Sequence, residues 1–450
     1  VSVESLFTAS AKRTGPVRVL FVAEAVTLAH VARPLVLAQG LPEDQYEPIL
    51  AVDPRYERLY ATSRIPRIAI NSIPSAQFAK ALAKGNPIYS TGELKQYVQQ
   101  DMEVIRDVAP DVIVGDMRLS LAASARLAGV PYLSLTNAYW SPHAQVHFPI
   151  PQTPMTRWLG VPLSQIIFNV ARPMVFALHA KPLNKVLAHH KLPSLGSNLL
   201  RVYSDADRVL YVDQPGLTPM TNVPATHHFL GPLLWEPDLP KPDWWESLRG
   251  SNSQSNGEPS QPTPAAGKPI VYVNLGSSGP GNLLQIVLDG LKDLPVTVIA
   301  ATAGKTTIAN PPANARIADF LPGLQACALA DLVICNGGSP STQQAIASGK
   351  PVLALPSNLD QFLNTQGLMA AGAAVQVRAD KAKAAQVRQA AAAMLADPNY
   401  QTQAGVLCQQ AQACDAIDTF TRVIQDVIGQ PLPQTPPVAP QKHSNEAASV

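Results

Sequence analysis

Hydrophobic and polar positions along the chain follow two alternating patterns. Val17 to Ala23 is an unbroken apolar, β-branched run, the mark of a strand buried on both faces. Thr27 to Leu41 then spaces Leu28, Val31, Leu35 and Ala38 at helical intervals. Further strands are predicted at Tyr46 to Val52, Asp111 to Gly115, Val130 to Leu135 and Asp207 to Val212, with a helix over Ser120 to Ala128. The pattern collapses at 250–267 (GSNSQSNGEPSQPTPAAG), a composition that cannot build a core. It restarts with strands at Ile270 to Leu275, Val296 to Ala300, Leu332 to Cys335, Val352 to Leu355 and Ala374 to Val377. Alanine-rich helices follow over Lys381 to Leu395 and about Tyr400 to Ile428. Strands alternating with helices imply an α/β fold with parallel sheets, here two Rossmann-like domains facing a central cleft. The expected division is a flexible N-terminus over 1–15, one such domain over 16–248, a disordered linker over 249–268, a second domain over 269–430 and a disordered tail over 431–450.

Composition narrows the classes. The chain of 450 residues carries a net charge of only +2, so the basic footprint of a nucleic-acid binder is absent. Cys327, Cys335, Cys408 and Cys414 show no zinc spacing and read as reduced core residues of a cytoplasmic protein. No segment is expected to reach membrane-span length, and the first fifteen residues lack the apolar run of a signal peptide.

The chemistry concentrates at a few turns. Asp331 to Gln344 reads as a buried strand, a glycine turn at Asn336-Gly337-Gly338, and the start of a helix carrying Ser341 and Thr342. Such a turn leaves unbonded backbone N–H groups at a helix N-terminus, a ready anion site. Asp360-Gln361 opens another helix one strand later, on what should be the same sheet edge, and could meet sugar hydroxyls. Gly276-Ser277-Ser278 follows the strand from Ile270 and is a second phosphate-loop candidate. For each turn the simpler reading is an ordinary βα connection. In the first half, His30 follows the first strand and Asp116 ends another, both at carboxyl edges where such folds place chemistry. An Asp that orients a His makes a general base for a hydroxyl, though either residue alone could simply cap its helix. Asp205-Ala-Asp207, His189-His190 and His227-His228 read as solvated loops rather than metal sites, so no metal is expected. The aromatic, Pro- and Met-rich stretch from Tyr139 to Leu200 could line an apolar pocket, contact a membrane surface or form a core stripe. Trp244-Trp245 could anchor the end of the first domain.

These motifs resemble those of GT-B-fold glycosyltransferases of the family 1 type, which includes bacterial antibiotic and lipid glycosyltransferases. The resemblance runs from Val17 to about Ile428. The family carries His-Gly-Gly-x-x-Ser/Thr-x-x-Glu, then Gly-x-Pro, then Asp/Glu-Gln. Here these are Asn336 to Gln344, Gly349-Lys350-Pro351 and Asp360-Gln361, in register. Its Gly-His-x-x-Pro resembles Ala29-His30-Val31-Ala32-Arg33, with Pro34 one place late. The resemblance implies that Gly338, Ser341 and Thr342 hold a diphosphate, Gln344 the ribose, and Asp360 and Gln361 the sugar, while Phe320 stacks on the base. It also implies that His30 is the catalytic base and Asp116 its partner. The chain departs from the pattern with Asn336 for His, Gln344 for Glu and Pro340 for Asn.

The implied activity is inverting, metal-independent transfer of a sugar from a UDP- or dTDP-type donor to a hydroxyl of a small or lipid-like, apolar acceptor. No cofactor and no nucleic acid are expected; a peripheral membrane contact is a further expectation. Three alternatives compete. A non-catalytic nucleotide-sugar-binding protein would bind donor and fail with every acceptor. An epimerase would convert donor alone. A membrane scaffold would bind liposomes without nucleotide.

Overall fold

The computed structural model describes residues 15–249, 267–276, 282–304, 308 and 310–429. The first half comprises β1 (Val17–Ala23), α1 (Ala29–Gly40), β2 (Tyr46–Val52), β3 (Arg67–Ala69), α2 (Ser75–Lys84), α3 (Thr91–Val108), β4 (Val112–Asp116), α4 (Leu121–Ala128), β5 (Tyr132–Thr136), α5 (Pro154–Trp158), α6 (Gly160–His189), α7 (Leu199–Tyr203), β6 (Arg208–Tyr211) and β7 (His227–Phe229). After α8 (Trp245–Arg249) the second half runs β8 (Ile270–Asn274), α9 (Leu283–Leu291), β9 (Thr297–Ala301), β10 (Ala315–Ala318), α10 (Gly323–Leu329), β11 (Leu332–Cys335), α11 (Ser339–Ala347), β12 (Val352–Ala354), α12 (Leu359–Ala370), β13 (Ala374–Gln376), α13 (Ala384–Ala396), α14 (Pro398–Gln412) and α15 (Ala416–Gly429).

The strands form two sheets, ordered β3-β2-β1-β4-β5-β6-β7 and β10-β9-β8-β11-β12-β13, and every pairing within them is parallel. Strand order reverses between β1 and β4 in the first sheet and between β8 and β11 in the second. At such a switch point the connections leave in opposite directions and open a crevice at the carboxyl ends of the strands. His30 follows β1 and Asp116 ends β4; Gly276 follows β8 and Asn336 follows β11. Both candidate clusters therefore sit where topology opens a crevice.

Alternation along β1 divides its side chains between two cores. Val19, Phe21 and Ala23 join one with Leu35, Leu37 and Ala38 of α1. Leu20 and Val22 join the other with Val104 and Ile105 of α3 and Leu121 and Ala125 of α4. Each large side chain so buried contributes about 1.5–3 kcal/mol.

The packing corrects three expectations. Phe420, Val423, Ile424 and Val427 of α15 lie in the core of the first sheet, with the Phe420 ring 5.9 Å from that of Phe21. The chain thus returns to its first half instead of ending the second domain at 430. Trp245 and Leu248 pack with Ile270, Tyr272 and Ile299, so α8 anchors the second core, not the first. The third correction is α6, which is long and apolar enough to cross a membrane by length and composition. Interspersed Ser, Gln, Asn, Arg and His had broken its apolar runs without lowering the average much. The linker, the N-terminal segment and the tail lie almost wholly outside the described residues.

Candidate active site

The first pole is built by the first turn of α1 and the end of β4. His30 Nδ1 lies 2.7 Å from Asp116 Oδ1. A carboxylate only accepts, so this contact assigns the ring proton to Nδ1 and the lone pair to Nε2. Nε2 has no hydrogen-bond partner among the described residues. Asp116 is buried, and His30 keeps 19% of its side chain exposed, enough for a reactant to reach it.

Sequence reasoning missed the third member. Arg33, one turn along α1, grips Asp116 in a fork: Nε to Oδ2 at 2.8 Å and Nη2 to Oδ1 at 2.8 Å. Its Nη2 also lies 2.8 Å from His30 Nδ1. Nδ1 donates to Asp116 and has no lone pair to offer, so the Nη2 proton belongs to the carboxylate. Burial works against the Arg33 charge, but Asp116 overcomes it and raises the guanidinium pKa. The signal was an arginine three residues after His30 on a helix otherwise inward and apolar.

From Arg33 a polar chain crosses to the second domain. Arg33 Nη1 donates to Asn137 Oδ1 at 2.9 Å. Asn137 Nδ2 donates to Asp213 Oδ1 at 2.9 Å and to Ser339 Oγ, on the first turn of α11, at 3.1 Å. Burial pushes the Asp213 carboxyl pKa up, against the backbone N–H of Ala138 and the Asn137 amide. Gln343 Nε2 donates to Val212 O at 2.6 Å. The Tyr139 hydroxyl and Trp140 Nε1 donate to Asp360 Oδ1 at 3.1 and 2.8 Å. The two halves are thus hydrogen-bonded across the cleft.

At the second pole the predicted residues separate. Gly337 has φ +81, and a Cβ there would meet Thr365 Cγ2 at 2.9 Å, so the turn requires glycine. Asn336 Oδ1 accepts from Gly338 N at 2.9 Å and closes the turn. Its Nδ2 faces Gly276, which brings the β8 and β11 loops together as expected. Ser277 and Ser278 lie outside the described residues. The first turn of α11 leaves the N–H groups of Ser339 and Ser341 without helical partners. Pro340 supplies none. The half-buried Ser341 hydroxyl has no partner among the described residues. Phe320 packs beside the Gly304 turn, half-buried.

Two of the predicted residues are turned inward. Thr342 is buried: its hydroxyl bonds to Gly338 O and Ser339 O and accepts from Asn364 Nδ2 at 2.8 Å. It therefore ties α11 to α12 instead of standing at the mouth. Gln361 is also buried, and its Oε1 caps its own helix by accepting from Ser357 N at 2.8 Å, with Asn358 completing the capping box. Asp360 stands in the cleft, in contact with Tyr139 and Trp140. Gln344 Nε2 donates to Trp235 O at 2.8 Å, and its Oε1 sits where a Cβ on Gly323 would be 2.4 Å away.

The other sequence features resolve simply. Asp205 pairs with Arg126, and Asp207 accepts from Tyr132 N. His227 lies on the edge strand β7, its Nδ1 2.6 Å from the Tyr211 hydroxyl, rather than in a loop. Among the described residues no three His, Cys, Asp or Glu side chains gather to hold a metal. Behind the site, Arg118 joins Glu24 and Asp101 at 3.0 Å each, wholly buried, with its guanidinium 3.6 Å from the Tyr97 ring centroid. Burial raises the Glu24 pKa despite Arg118. This network steadies the β1 and β4 carboxyl ends, and no local sequence pattern announced it.

Residues 285–428 match the family described as Erythromycin biosynthesis protein CIII-like, C-terminal domain. The chain is 49% identical over 364 residues to the PGL/p-HBAD biosynthesis glycosyltransferase of Mycobacterium tuberculosis (strain ATCC 25177 / H37Ra), covering 81% of each chain. It is 47% identical over 390 residues to the PGL/p-HBAD biosynthesis rhamnosyltransferase of Mycobacterium bovis (strain BCG / Pasteur 1173P2), covering 87% of this chain and 83% of that one. Its fold is similar to that of Spinosyn Rhamnosyltransferase SpnG complexed with thymidine diphosphate, with a TM-score of 0.61 at 18% identity over 91% of this chain and 100% of that one.

Proposed function

Because the chain belongs to the GT-B-fold glycosyltransferases of the family 1 type, we propose that it moves a hexose, with inversion and without a metal, from a UDP- or dTDP-type donor to a hydroxyl of a small apolar acceptor. The 2.7 Å contact between His30 Nδ1 and Asp116 carries the reading. It leaves Nε2 to take the acceptor proton as the acceptor oxygen bonds to the anomeric carbon. The bond from that carbon to the phosphate oxygen breaks, and the nucleoside diphosphate departs with the electron pair. Asp116 stabilises the imidazolium. With both Asp116 oxygens held by Arg33, this carboxylate is a poor nucleophile, which favours one displacement over a double one.

Charge on the leaving diphosphate falls to the backbone N–H groups of Ser339 and Ser341, the Ser341 hydroxyl and the Asn336 Nδ2, with Gly338 shaping the turn through its own bond to Asn336. Gly276, which faces the Asn336 side chain, adjoins that wall. Phe320 stacks on the base, and Gln344 and Asp360 serve the ribose and the sugar. Thr342 and Gln361 act one step back, by fixing the two helix starts. The thymidine diphosphate bound by the similar spinosyn enzyme makes dTDP the first donor to try, and the rhamnosyltransferase relative makes a deoxyhexose the first sugar. Tyr139 and Trp140 beside Asp360 support an apolar acceptor.

The test is mass spectrometry of an alcohol and phenol panel incubated with dTDP-rhamnose, dTDP-glucose and UDP-glucose. Addition of one hexosyl mass with the glucose donors, or one deoxyhexosyl mass with dTDP-rhamnose, is expected. Replacing His30 with Ala should reduce turnover about 10²–10⁴-fold and leave donor affinity intact. Unchanged turnover would remove His30 from the base role.

A further inference from the structure

Helix α6 presents an apolar face that nothing among the described residues covers. Leu159, Leu163, Ile166, Val170, Met174 and Leu178 recur every three or four residues and are exposed, Val170 by 80% and Ile166 by 63%. Trp158 stands at the head of this stripe, 86% exposed. Most of the apolar first half of the helix is not buried. This is far beyond the single exposed apolar residues of an ordinary surface.

Charge says what covers it. No Asp or Glu occurs anywhere from residue 117 to residue 204. Within that span Arg157, Lys181 and Lys185 are exposed. Arg157 adjoins Trp158 at the head of the stripe, and Lys181 and Lys185 continue its helical line at the foot. An apolar face bounded by cations and free of acids complements a layer whose interior is hydrocarbon and whose surface is anionic. A second copy fits poorly, because either direction of pairing sets these cations against cations with no acid between them. A spanning helix fits no better: Phe176, Ala180, Leu183, Val186 and Leu187 on the other side of α6 are buried in the core with Tyr97, Val98 and Leu363.

We propose that the exposed face of α6, from Trp158 to Lys185, seats the protein on an anionic lipid surface, lying in the plane of the headgroups. The inner face of the same helix packs with Phe148 and Tyr139, and Tyr139 reaches Asp360 in the cleft.

The experiment is vesicle co-sedimentation of the full chain, without nucleotide or acceptor, so its outcome is separate from that of the transferase reading. Vesicles of phosphatidylcholine with about a third phosphatidylglycerol should pull down the wild type. Pure phosphatidylcholine, or high salt, should retain much less. The combined replacement of Trp158→Ser, Ile166→Ser and Val170→Ser should weaken partitioning at least about tenfold. Lys181→Glu with Lys185→Glu should do so on anionic vesicles alone. Both variants should keep the wild-type melting temperature. Wild type remaining in the supernatant, or variants sedimenting like wild type, would overturn the proposal. So would a wild-type dimer that the triple variant converts to monomer, which would assign the face to a second copy.

Discussion

Arg33→Met is the most informative single change outside the presumed reacting groups. The guanidinium it removes makes two 2.8 Å bonds to Asp116 and one of 2.9 Å to Asn137, all buried. Deleting one partner of a buried pair costs about 3–5 kcal/mol, because the other charge stays behind. His30 still donates to Asp116, which tempers the loss, whereas Asn137 Oδ1 loses its donor, which adds about 1–3 kcal/mol. The net expectation is about 3–5 kcal/mol of stability lost from the first domain. The assay is urea unfolding followed by circular dichroism for wild type, Arg33→Met, Asp116→Asn and the double variant. The double variant should be more stable than additivity allows by about 2 kcal/mol, since neutralising Asp116 removes the stranded charge. Arg33→Lys should recover only part, because an ammonium cannot form the fork. A loss under about 1 kcal/mol, or strict additivity, would refute the claim that Arg33 holds the dyad together.

Other predictions follow from single contacts. Gly337→Ala should destabilise the chain by about 1–3 kcal/mol, from its positive φ and the Thr365 contact, as read by melting. Asn137→Ala removes the bridge from Arg33 to Ser339, so donor binding and turnover should fall together in kinetic assays while His30→Ala affects turnover alone. Burial, then the neighbouring imidazoles of His143 and His228, depress the His227 pKa to about 4. The unfolded chain takes that proton near the ordinary value of about 6.5, so stability present above that pH is lost as pH falls toward 4. Melting curves of His227→Gln should show a shallower loss over that window than wild type, and parallel curves would count against the assignment.

The sequence was most legible where one physical signal decided the outcome. Buried parallel strands such as β1, β8 and β11 announce themselves as short apolar runs. The strands it missed, β3, β7 and β10, are edges of their sheets and only three or four residues long. His30, Asp116 and the Gly337 turn were readable because each follows a strand at a carboxyl edge. The orientation of Thr342 and Gln361 was not legible, because a motif records residue types, not directions. Thr342 faces α12 and Gln361 faces its own cap. Arg33, Asn137 and Asp213 come together from three segments, a convergence that only the folded chain creates. The same holds for α15, whose apolar face was visible but whose destination was not.

The start of α11 is proposed to hold the donor diphosphate. Calorimetric titration of dTDP and UDP into wild type and Ser341→Asp tests it most directly. A carboxylate in the first turn suits the helix dipole, so the variant should fold at least as stably, yet it sets a negative charge against the diphosphate. The account predicts one-to-one binding of one nucleotide to the wild type and loss of that binding in the folded variant. Equal affinity in both proteins, or no heat from the wild type with either nucleotide, would contradict it.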